Sequence, residues 1–446
     1  MQIPPSYSTS DDQPVAGLEL APFRGIRYAP DRVSGLAHVT SPPYDVIFRD
    51  SEDQLMAADP HNVVRLILPR PVPGRPGEEY GDAAALLGKW LAEGILAADP
   101  APALYVYEQA AGVSVLQRGL IGRLRLVEPE AGIVLPHEDV SPGPVQGRLR
   151  LMEATQANLE PIFLLYEGAR EAGEPGFRGA ASRIAGAVAA TAPLAETVTP
   201  DGLRHRLWAI TDHADLAAIA ADLAPRQALI ADGHHRYAAY LQLRARRHAA
   251  GHGQGPWDYG LAMLVDSGLY PPRIGAIHRV IPGLDVQQAA KLAAGAFAVR
   301  ALPFGDLGAA EAELARASGE GPAFVVAGEG HAYLLSHPDR EQARAAMPAG
   351  YSAEWGELPA AILQELLIGK LWGLTDDDSL VKVVHHDASA ALLAACEATG
   401  TAVLCAPMSP ADVYAVAARG EKVPRKSTSF APKPRTGLVL RSFAEG

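Results

Sequence analysis

The segment from Asp232 to Arg236 has the residue types and the spacing best suited to chemistry. An apolar stretch typical of a strand runs directly into Asp232 and Gly233, and an amphipathic helix is predicted to begin immediately afterwards. Glycine permits a sharp turn and lets a ligand approach the backbone. Because the first turn of a helix offers unpaired N–H groups and the positive end of the helix dipole, the segment predicts an anion site.

The side chains of this segment extend the same prediction. Arg236 and either His234 or His235 would add charge-assisted hydrogen bonds to a phosphate. Asp232 could orient a hydroxyl group, hold Mg²⁺ or cap the helix. A capping Asp with two surface histidines is the structural alternative, but it does not explain the three residues after the glycine. A zinc site is disfavoured because adjacent histidines in a helix diverge by about 100°.

A second candidate is the pair His137 and Glu138, which follows Pro136 at the end of a predicted strand. The carboxylate could act as a general base towards a hydroxyl nucleophile. An exposed loop pair that forms its own ion pair explains the two residues equally well.

The third candidate is the loop from Lys422 to Lys433. Only seven of the chain's 39 basic Lys and Arg residues are lysines, and Lys422, Lys426 and Lys433 all fall in this loop. Ser427 and Thr428 add hydroxyl groups between prolines that stiffen the backbone. The loop therefore predicts an anion clamp, with a solvated connection carrying incidental charge as the alternative.

Two further pairs are weaker candidates. Tyr44 and Asp45 lie in a proline-stiffened turn, and His278 and Arg279 follow a short predicted strand; ordinary structural roles explain both pairs as well.

The glycines form neither a Walker A pattern nor a GxGxxG after a strand, so a P-loop kinase and a Rossmann dehydrogenase are disfavoured.

The pattern of predicted strands and helices indicates a mixed α+β protein with two lobes. Residues 1–17 are predicted to form a flexible tail, residues 18–125 an N-terminal α/β region, residues 126–281 a core containing the 232–236 turn, and residues 282–446 a C-terminal α/β lobe with the lysine-rich loop. The apolar run at residues 62–69 is predicted to be a short buried strand.

Composition limits the class of protein. The chain has 446 residues, 48% of them hydrophobic, and a net charge of −12, which argues against a nucleic-acid-binding protein. With only Cys396 and Cys405, a disulfide framework and a zinc site made of cysteines alone are disfavoured. The N-terminus lacks signal-peptide features and no run is apolar enough to span a membrane, so a cytoplasmic protein is expected.

Several of these motifs together resemble the domain of unknown function 1015 family of bacteria and archaea. They are SPPYDVI at residues 41–47, LPHE at 135–138, IADGHHRY at 230–237 and KSTSFAPK at 426–433. The resemblance extends from about residue 18 to residue 443. More distantly, the central stretch resembles the ParB/sulfiredoxin superfamily, within which free serine kinases carry a similar DGH-x-R turn and a glutamate base.

The resemblance implies a two-lobed α+β fold with a ParB/sulfiredoxin-like core and a nucleotide-dependent phosphotransferase acting on a small hydroxylated metabolite, with free L-serine as the leading acceptor. ATP or ADP with Mg²⁺ is the expected cofactor, without zinc or nicotinamide, and the partners expected are small molecules, with a homodimer as the assembly considered. A nucleotide-binding regulatory protein and a phosphoesterase remain alternatives.

The residues and the resemblance together predict roles in three groups. The catalytic residues are Glu138, Asp232 and His235; the phosphate- or nucleotide-binding residues are Gly233, His234, Arg236, Lys426, Ser427, Thr428 and Lys433; the substrate-binding residues are His137, Arg148, Tyr44, Asp45, His278 and Arg279.

The sequence also departs from the family pattern. Pro359 and Gln364 replace an Asp and a His of one helix, Ser429 and Ala431 replace two aromatic residues of the lysine-rich loop, and Gly147 replaces an acidic residue. These departures suggest a changed substrate or a changed edge of the site.

Overall fold

The computed structural model describes residues 17–71, 73–75, 77–168, 179–376 and 379–445. Almost all of the tail predicted at residues 1–17 lies outside the described residues. Within them, the predicted mixed α+β fold is confirmed by several sheets and many helices.

In chain order the strands are β1 (Leu20–Ala21), β2 (Ile26–Tyr28), β3 (Leu96–Ala98), β4 (Leu104–Ala111), β5 (Ser114–Arg125), β6 (Val134–Leu135), β7 (Ala157–Asn158), β8 (Ile162–Tyr166), β9 (Ala195–Val198), β10 (Leu203–Ile210), β11 (Ala228–Asp232), β12 (Tyr259–Asp266), β13 (Arg273–Ile274), β14 (Ile277–Ile281), β15 (Ala298–Leu302), β16 (Phe324–Gly328), β17 (His331–Ser336), β18 (Lys382–His385), β19 (Thr401–Cys405), β20 (Phe430–Ala431) and β21 (Arg441–Ser442).

The helices are α1 (Leu36–Val39), α2 (Arg49–Ala58), α3 (Val64–Ile67), α4 (Glu79–Ala92), α5 (Pro142–Thr155), α6 (Ala180–Val188), α7 (His213–Leu223), α8 (His234–Ala249), α9 (Val286–Ala293), α10 (Leu307–Ser318), α11 (Arg340–Ala346), α12 (Ala353–Glu357), α13 (Pro359–Ala361), α14 (Ala388–Glu397) and α15 (Pro410–Ala418). Helix α13 continues into a π-helix, Ile362–Leu371.

The larger sheet positions the 232–236 turn at the end of β11. Its strand order is β6-β11-β8-β12-β5-β4-β10-β9, with β1 added alongside β5. Alternate residues of β8 enter two different apolar cores: Ile162 and Leu164 pack towards α5 and α8, whereas Phe163 and Leu165 pack towards α12 and α15. Because both faces are covered, these strands read as continuous apolar runs in the sequence.

The smaller sheet has the order β15-β17-β16-β19-β14-β18 and every pairing in it is antiparallel. Helix α9 and the π-helix pack on one face, and α10 and α14 pack on the other. We call this layered unit, built on β14 to β19, the second lobe, and the unit built on the larger sheet the first lobe.

The sheets extend across two of the predicted boundaries. The division at residue 125 falls within the larger sheet, because β5 pairs with β12 on the other side of it. The division at residue 281 separates β14 from β18 and β19, its partners in the smaller sheet. Sequence patterns reveal elements along the chain, whereas these pairings join elements far apart in sequence.

The end of the chain returns to the first lobe, although residues 282–446 were expected to form one C-terminal lobe. Strand β21 pairs with β7, and backbone bridges join Thr436 to Ser41 and Leu440 to Ile26. The lysine-rich loop is thereby held between the two sheets.

The predicted strand at residues 62–69 is wrong, because the run forms helix α3. All four side chains of the segment Val63, Val64, Leu66 and Ile67 are buried. A short run that is buried all round has no period that distinguishes strand from helix.

Among the residues that the structure describes, no helix is both long enough and apolar enough to span a bilayer.

Candidate active site

The predicted strand, tight turn and long helix are present around Gly233. Strand β11 ends at Asp232, Gly233 has φ 99°, and α8 begins at His234. Tyr237 donates the first backbone hydrogen bond of the helix, to the Gly233 carbonyl at 2.9 Å. The N–H groups before Tyr237 therefore have no acceptor within the helix, which is the geometry that binds anions.

Replacing Gly233 with alanine is expected to destabilise the fold through both strain and contact. A Cβ atom at this position would lie 2.8 Å from Cγ2 of Ile162. In addition, the left-handed backbone conformation costs a residue that has a side chain about 1–2 kcal/mol. Gly202→Ala is the matched control, since Gly202 also has a positive φ but open space around it. Chemical denaturation should show a larger loss for Gly233→Ala; equal losses would contradict the tight approach of Ile162.

Two carboxylates and two cations meet beneath the turn. Asp232 is buried and accepts hydrogen bonds from Nη2 of Arg236 at 2.5 Å and from Nζ of Lys433. Lys433 also donates to Oδ2 of Asp45 at 3.1 Å. The predicted candidates Asp45, Asp232, Arg236 and Lys433, from three distant parts of the chain, therefore form one network.

The two carboxylates of this network are held differently. Burial and the neighbouring Asp45 raise the pKa of Asp232, although Lys433 and Arg236 oppose the shift. Burial also acts to raise the pKa of Asp45, but Lys433 and Arg236 outweigh it and the pKa lies below its usual value. Lys433 is thus the shared counter-ion that joins the N-terminal turn to β11.

Arg236 lies under the turn and is only 4% exposed. Its Nη1 donates to the Pro161 carbonyl at 2.5 Å, and its guanidinium lies 5.9 Å from the centre of the Tyr44 ring. These contacts hold Asp232 and the start of α8 in position. A direct contact between Arg236 and phosphate stays a prediction.

Arg148 joins the same layer through Tyr44 and Glu160. Its guanidinium lies 4.1 Å from the centre of the Tyr44 ring and its Nη1 is 3.5 Å from Oε2 of Glu160. Glu160 also accepts the backbone N–H of Tyr44 at 3.0 Å. Sequence reasoning missed Glu160, although a carboxylate placed directly before the Pro161–Ile162 strand entry was a usable signal.

The side chain of Glu138 lies beside His234, the first residue of α8. Its Oε1 accepts the Thr428 hydroxyl at 2.6 Å, and its Oε2 lies 3.8 Å from Nδ1 of His234. The side chain of Glu138 is 28% exposed. One carboxylate oxygen is therefore fixed by a hydroxyl group, while the other is available to a molecule placed at the helix start.

The three predicted histidines surround this carboxylate. Nε2 of His137 lies 2.9 Å from the Thr428 hydroxyl, and the backbone N–H of His137 donates to Nε2 of His234 at 3.2 Å. Nε2 of His235 accepts the backbone N–H of Ser141 at 3.1 Å. Acceptance at Nε2 places the proton of a neutral His234 on Nδ1, the nitrogen nearest to Glu138.

Burial keeps these rings neutral. It lowers the pKa of His137 and of His234, with His137 adding to the shift of His234. Burial followed by the Lys426 cation lowers the pKa of His235. A neutral His235 whose Nε2 accepts from Ser141 carries its proton on Nδ1, and its expected role in stabilising a phosphoryl group stays a prediction.

The lysine-rich loop lies along the site, but its members point in different directions. Val423 donates its N–H to the His137 carbonyl at 2.9 Å, and Thr428 contacts Glu138. Lys426 is exposed, and its charge acts on both His235 and His385. Ser427 points inward and donates to the Pro424 carbonyl at 2.6 Å, so its hydroxyl does not face the start of α8.

His278 and Arg279 lie in the smaller sheet, away from the turn. Nδ1 of His278 accepts the Cys405 N–H at 3.2 Å, and Arg279 pairs with Asp376 at 3.2 Å. Their predicted contact with substrate stays a prediction. Burial, followed by the Lys426 cation, lowers the pKa of His385 at the end of β18. The His385–His386 pair was a signal that sequence reasoning did not use.

A cavity of about 240 Å³ opens beside Lys433. It lies between the proline-rich N-terminal turn, the β4–β10 edge and the lysine-rich loop; its lining includes Pro43, Gln109, His205, His386 and Lys433. Its size and mixed lining suit a small polar metabolite.

His205 in this cavity should make stability depend on pH. Burial, with help from Arg435, lowers its pKa to about 4, while the unfolded chain titrates near the ordinary value. The unfolded state therefore binds the proton first, and stability falls as pH drops below about 6.5, by about 2 kcal/mol between pH 7 and pH 5 for this residue. Denaturation of the wild type and of His205→Gln at both pH values should show a smaller loss in the variant; identical losses would contradict the assignment.

Mg²⁺ does not fit at Asp232. Both of its oxygens are engaged by cations, Arg236 and Lys433. Within the described residues, no three His, Cys, Asp or Glu side chains are grouped as metal ligands. Of the roles considered for Asp232, that of a magnesium ligand is the one these ion pairs disfavour.

Comparison with known proteins identifies a family. A family model described as "Protein of unknown function (DUF1015)" matches residues 20–360. No curated protein sequence matches the chain.

Solved structures similar to the chain include a free serine kinase in complex with ADP (14% identity, 72% of this chain and 92% of that chain, TM-score 0.34). Another is SbnI from Staphylococcus aureus with a C-terminal truncation (12% identity, 72% of this chain and 87% of that chain, TM-score 0.35). A third is a conserved hypothetical protein from Pyrococcus furiosus (13% identity, 74% of this chain and 97% of that chain, TM-score 0.34). The resemblance to the ParB/sulfiredoxin superfamily stays a prediction.

Proposed function

Because the chain belongs to the DUF1015 family, whose description states no activity, we propose a function from the geometry of the site: transfer of a phosphoryl group from a nucleotide to the hydroxyl of a small metabolite, with free L-serine as the leading acceptor. We choose L-serine as the acceptor because the turn at 232–236 and Glu138 resemble sequence motifs of free serine kinases.

The arrangement of Glu138 carries the proposal. An accessible carboxylate, with one oxygen fixed by Thr428, stands 3.8 Å from His234 at the open start of α8. A base beside an anion-binding helix start is what transfer from a phosphate to a hydroxyl requires.

In the proposed reaction, Oε2 of Glu138 takes the proton of the acceptor hydroxyl. The hydroxyl oxygen forms a bond to the terminal phosphorus as the bond from that phosphorus to the leaving nucleotide oxygen breaks. The products are a phosphomonoester and a nucleotide shortened by one phosphate. The proton on Glu138 then passes to solvent, since the side chain is partly exposed.

Charge on the transferring group would be offset by groups at the helix start. The free N–H groups of the first turn of α8 and the exposed Lys426 supply donors and positive charge. The neutral His235 can donate from Nδ1, since its Nε2 is already an acceptor. Phosphoryl transfer depends on positioning and charge neutralisation, and these groups provide both.

A screen with labelled donor tests the proposal. The protein is incubated with Mg²⁺ and γ-labelled ATP, or β-labelled ADP, together with L-serine, L-threonine, L-homoserine or glycerol. L-Alanine, which has the serine backbone without the hydroxyl group, is the control. Label should move to a hydroxylated compound and not to alanine.

The other outcomes identify the alternatives. Binding of the nucleotide with no transfer to any acceptor would contradict the proposal and favour a nucleotide-binding regulatory protein. Release of phosphate from phosphoserine without a nucleotide would contradict it in favour of a phosphoesterase.

A further inference from the structure

A larger cavity, of about 400 Å³, lies between the lobes on the other side of the lysine-rich loop. This volume lies in the range of sites for small molecules. Its walls come from the loop after Glu138, from the segment 348–355, from the π-helix and from residues 374–376 and 422–425. π-Helical turns are rare and occur often at functional sites.

Two buried acceptor atoms of this cavity have no hydrogen-bond partner among the residues that the structure describes. Oδ1 of Asp376 is one: the side chain is 1% exposed, Oδ2 accepts from Arg279, and the closest cation to Oδ1 is Nη1 of Arg425 at 3.9 Å. Oε1 of Gln364 is the other, since the amide donates through Nε2 to Glu365 at 2.6 Å. Unpaired buried acceptors are costly, so they indicate a ligand that brings donors.

The cavity also contains an aromatic platform. Tyr351 stacks on the buried Trp355, with ring centres 4.1 Å apart and an interplanar angle of 27°. Tyr351 is 45% exposed, so one face of its ring remains accessible, while Nε1 of Trp355 is fixed by the Lys422 carbonyl at 2.7 Å. A rigid exposed ring is a stacking surface for a flat ligand.

The cavity adjoins the proposed phosphate site. Val423 and Asp139 line the cavity; Val423 is hydrogen-bonded to the His137 carbonyl, and Asp139 follows Glu138 in the chain. The cavity is lined by three carboxylates, Asp139, Glu365 and Asp376, and by two cations, Lys422 and Arg425. Lys422 is paired with Asp139 at 2.8 Å, so the lining offers no surplus of positive charge for phosphates. A neutral ring with amino donors is the better fit.

We propose that this cavity binds the base of the donor nucleotide, stacked on Tyr351, with its amino group donating to Gln364 and Asp376. The inference rests on the proposed function, since it assumes that the phosphates lie at the start of α8. It predicts a preference for an amino-bearing base such as adenine over hypoxanthine, which has an oxygen at the same position.

Affinity measurements with ATP, inosine triphosphate and tripolyphosphate test the inference. Tyr351→Ala and Gln364→Met should each weaken ATP binding about tenfold through loss of stacking or of the acceptor, and leave tripolyphosphate binding unchanged. Phe304→Ala, which removes another exposed aromatic ring of the second lobe, is the control and should bind ATP as the wild type does.

The outcomes separate the two proposals. If tripolyphosphate and ATP bind, but both variants bind ATP as tightly as the wild type and inosine triphosphate binds equally well, the base site is overturned and the phosphate site stands. If neither compound binds, both proposals are overturned.

Discussion

Replacing Glu138 with glutamine is expected to reduce phosphotransfer by about 10²- to 10⁴-fold, the usual contribution of a general base. Glutamine keeps the acceptor for the Thr428 hydroxyl but cannot take a proton from the substrate. Nucleotide binding should be unchanged, because the N–H groups of α8 and Lys426 are not altered. Steady-state rates and titration calorimetry measure the two effects on the same preparation.

Glu130→Gln is the matched control for this variant, since Glu130 is an exposed glutamate in the turn just before β6. It should leave the rate and the binding as they are. Equal activity of Glu138→Gln and the wild type would remove Glu138 from the mechanism.

Replacing Arg236 with methionine is expected to lower the free energy of unfolding by about 2–4 kcal/mol, because the buried Asp232 keeps only Lys433 as a counter-ion and the Pro161 carbonyl loses its donor. Arg236 is 4% exposed and holds both Asp232 and the Pro161 carbonyl. Chemical denaturation measures the loss.

Arg246→Met in the same helix is the control. Arg246 is exposed and pairs with Glu153 at 3.0 Å, so its loss should cost about 0–1 kcal/mol. Similar losses for the two variants would show that Arg236 does not stabilise the turn. A stable Arg236→Met protein that fails to bind nucleotide would instead restore Arg236 as a direct phosphate ligand.

The sequence was sufficient to predict the parts of the site that depend on local structure. Glycine after an apolar strand predicted the turn at Gly233, and its positive φ and the close approach of Ile162 explain why glycine is favoured there. The α+β class was likewise predictable, because buried strands and amphipathic helices have different periods.

Contacts between distant segments could not be predicted from spacing. Lys433 pairs with Asp45 and Asp232, 388 and 201 residues away in the chain. Burial decided the direction in which other side chains point: Arg236 faces inward to Asp232, and Ser427 faces its own backbone. The same residue types on a surface would have been free to bind phosphate.

Phosphorus NMR tests the central claim most directly. The wild-type protein is mixed with Mg²⁺, L-serine and, in separate samples, ATP, ADP, CTP or pyrophosphate. The account predicts a new phosphomonoester resonance that requires serine, grows as one donor is consumed and is absent with Glu138→Gln. Donor resonances that broaden on binding but never decline, with serine and with other hydroxylated metabolites alike, would contradict phosphoryl transfer at this site.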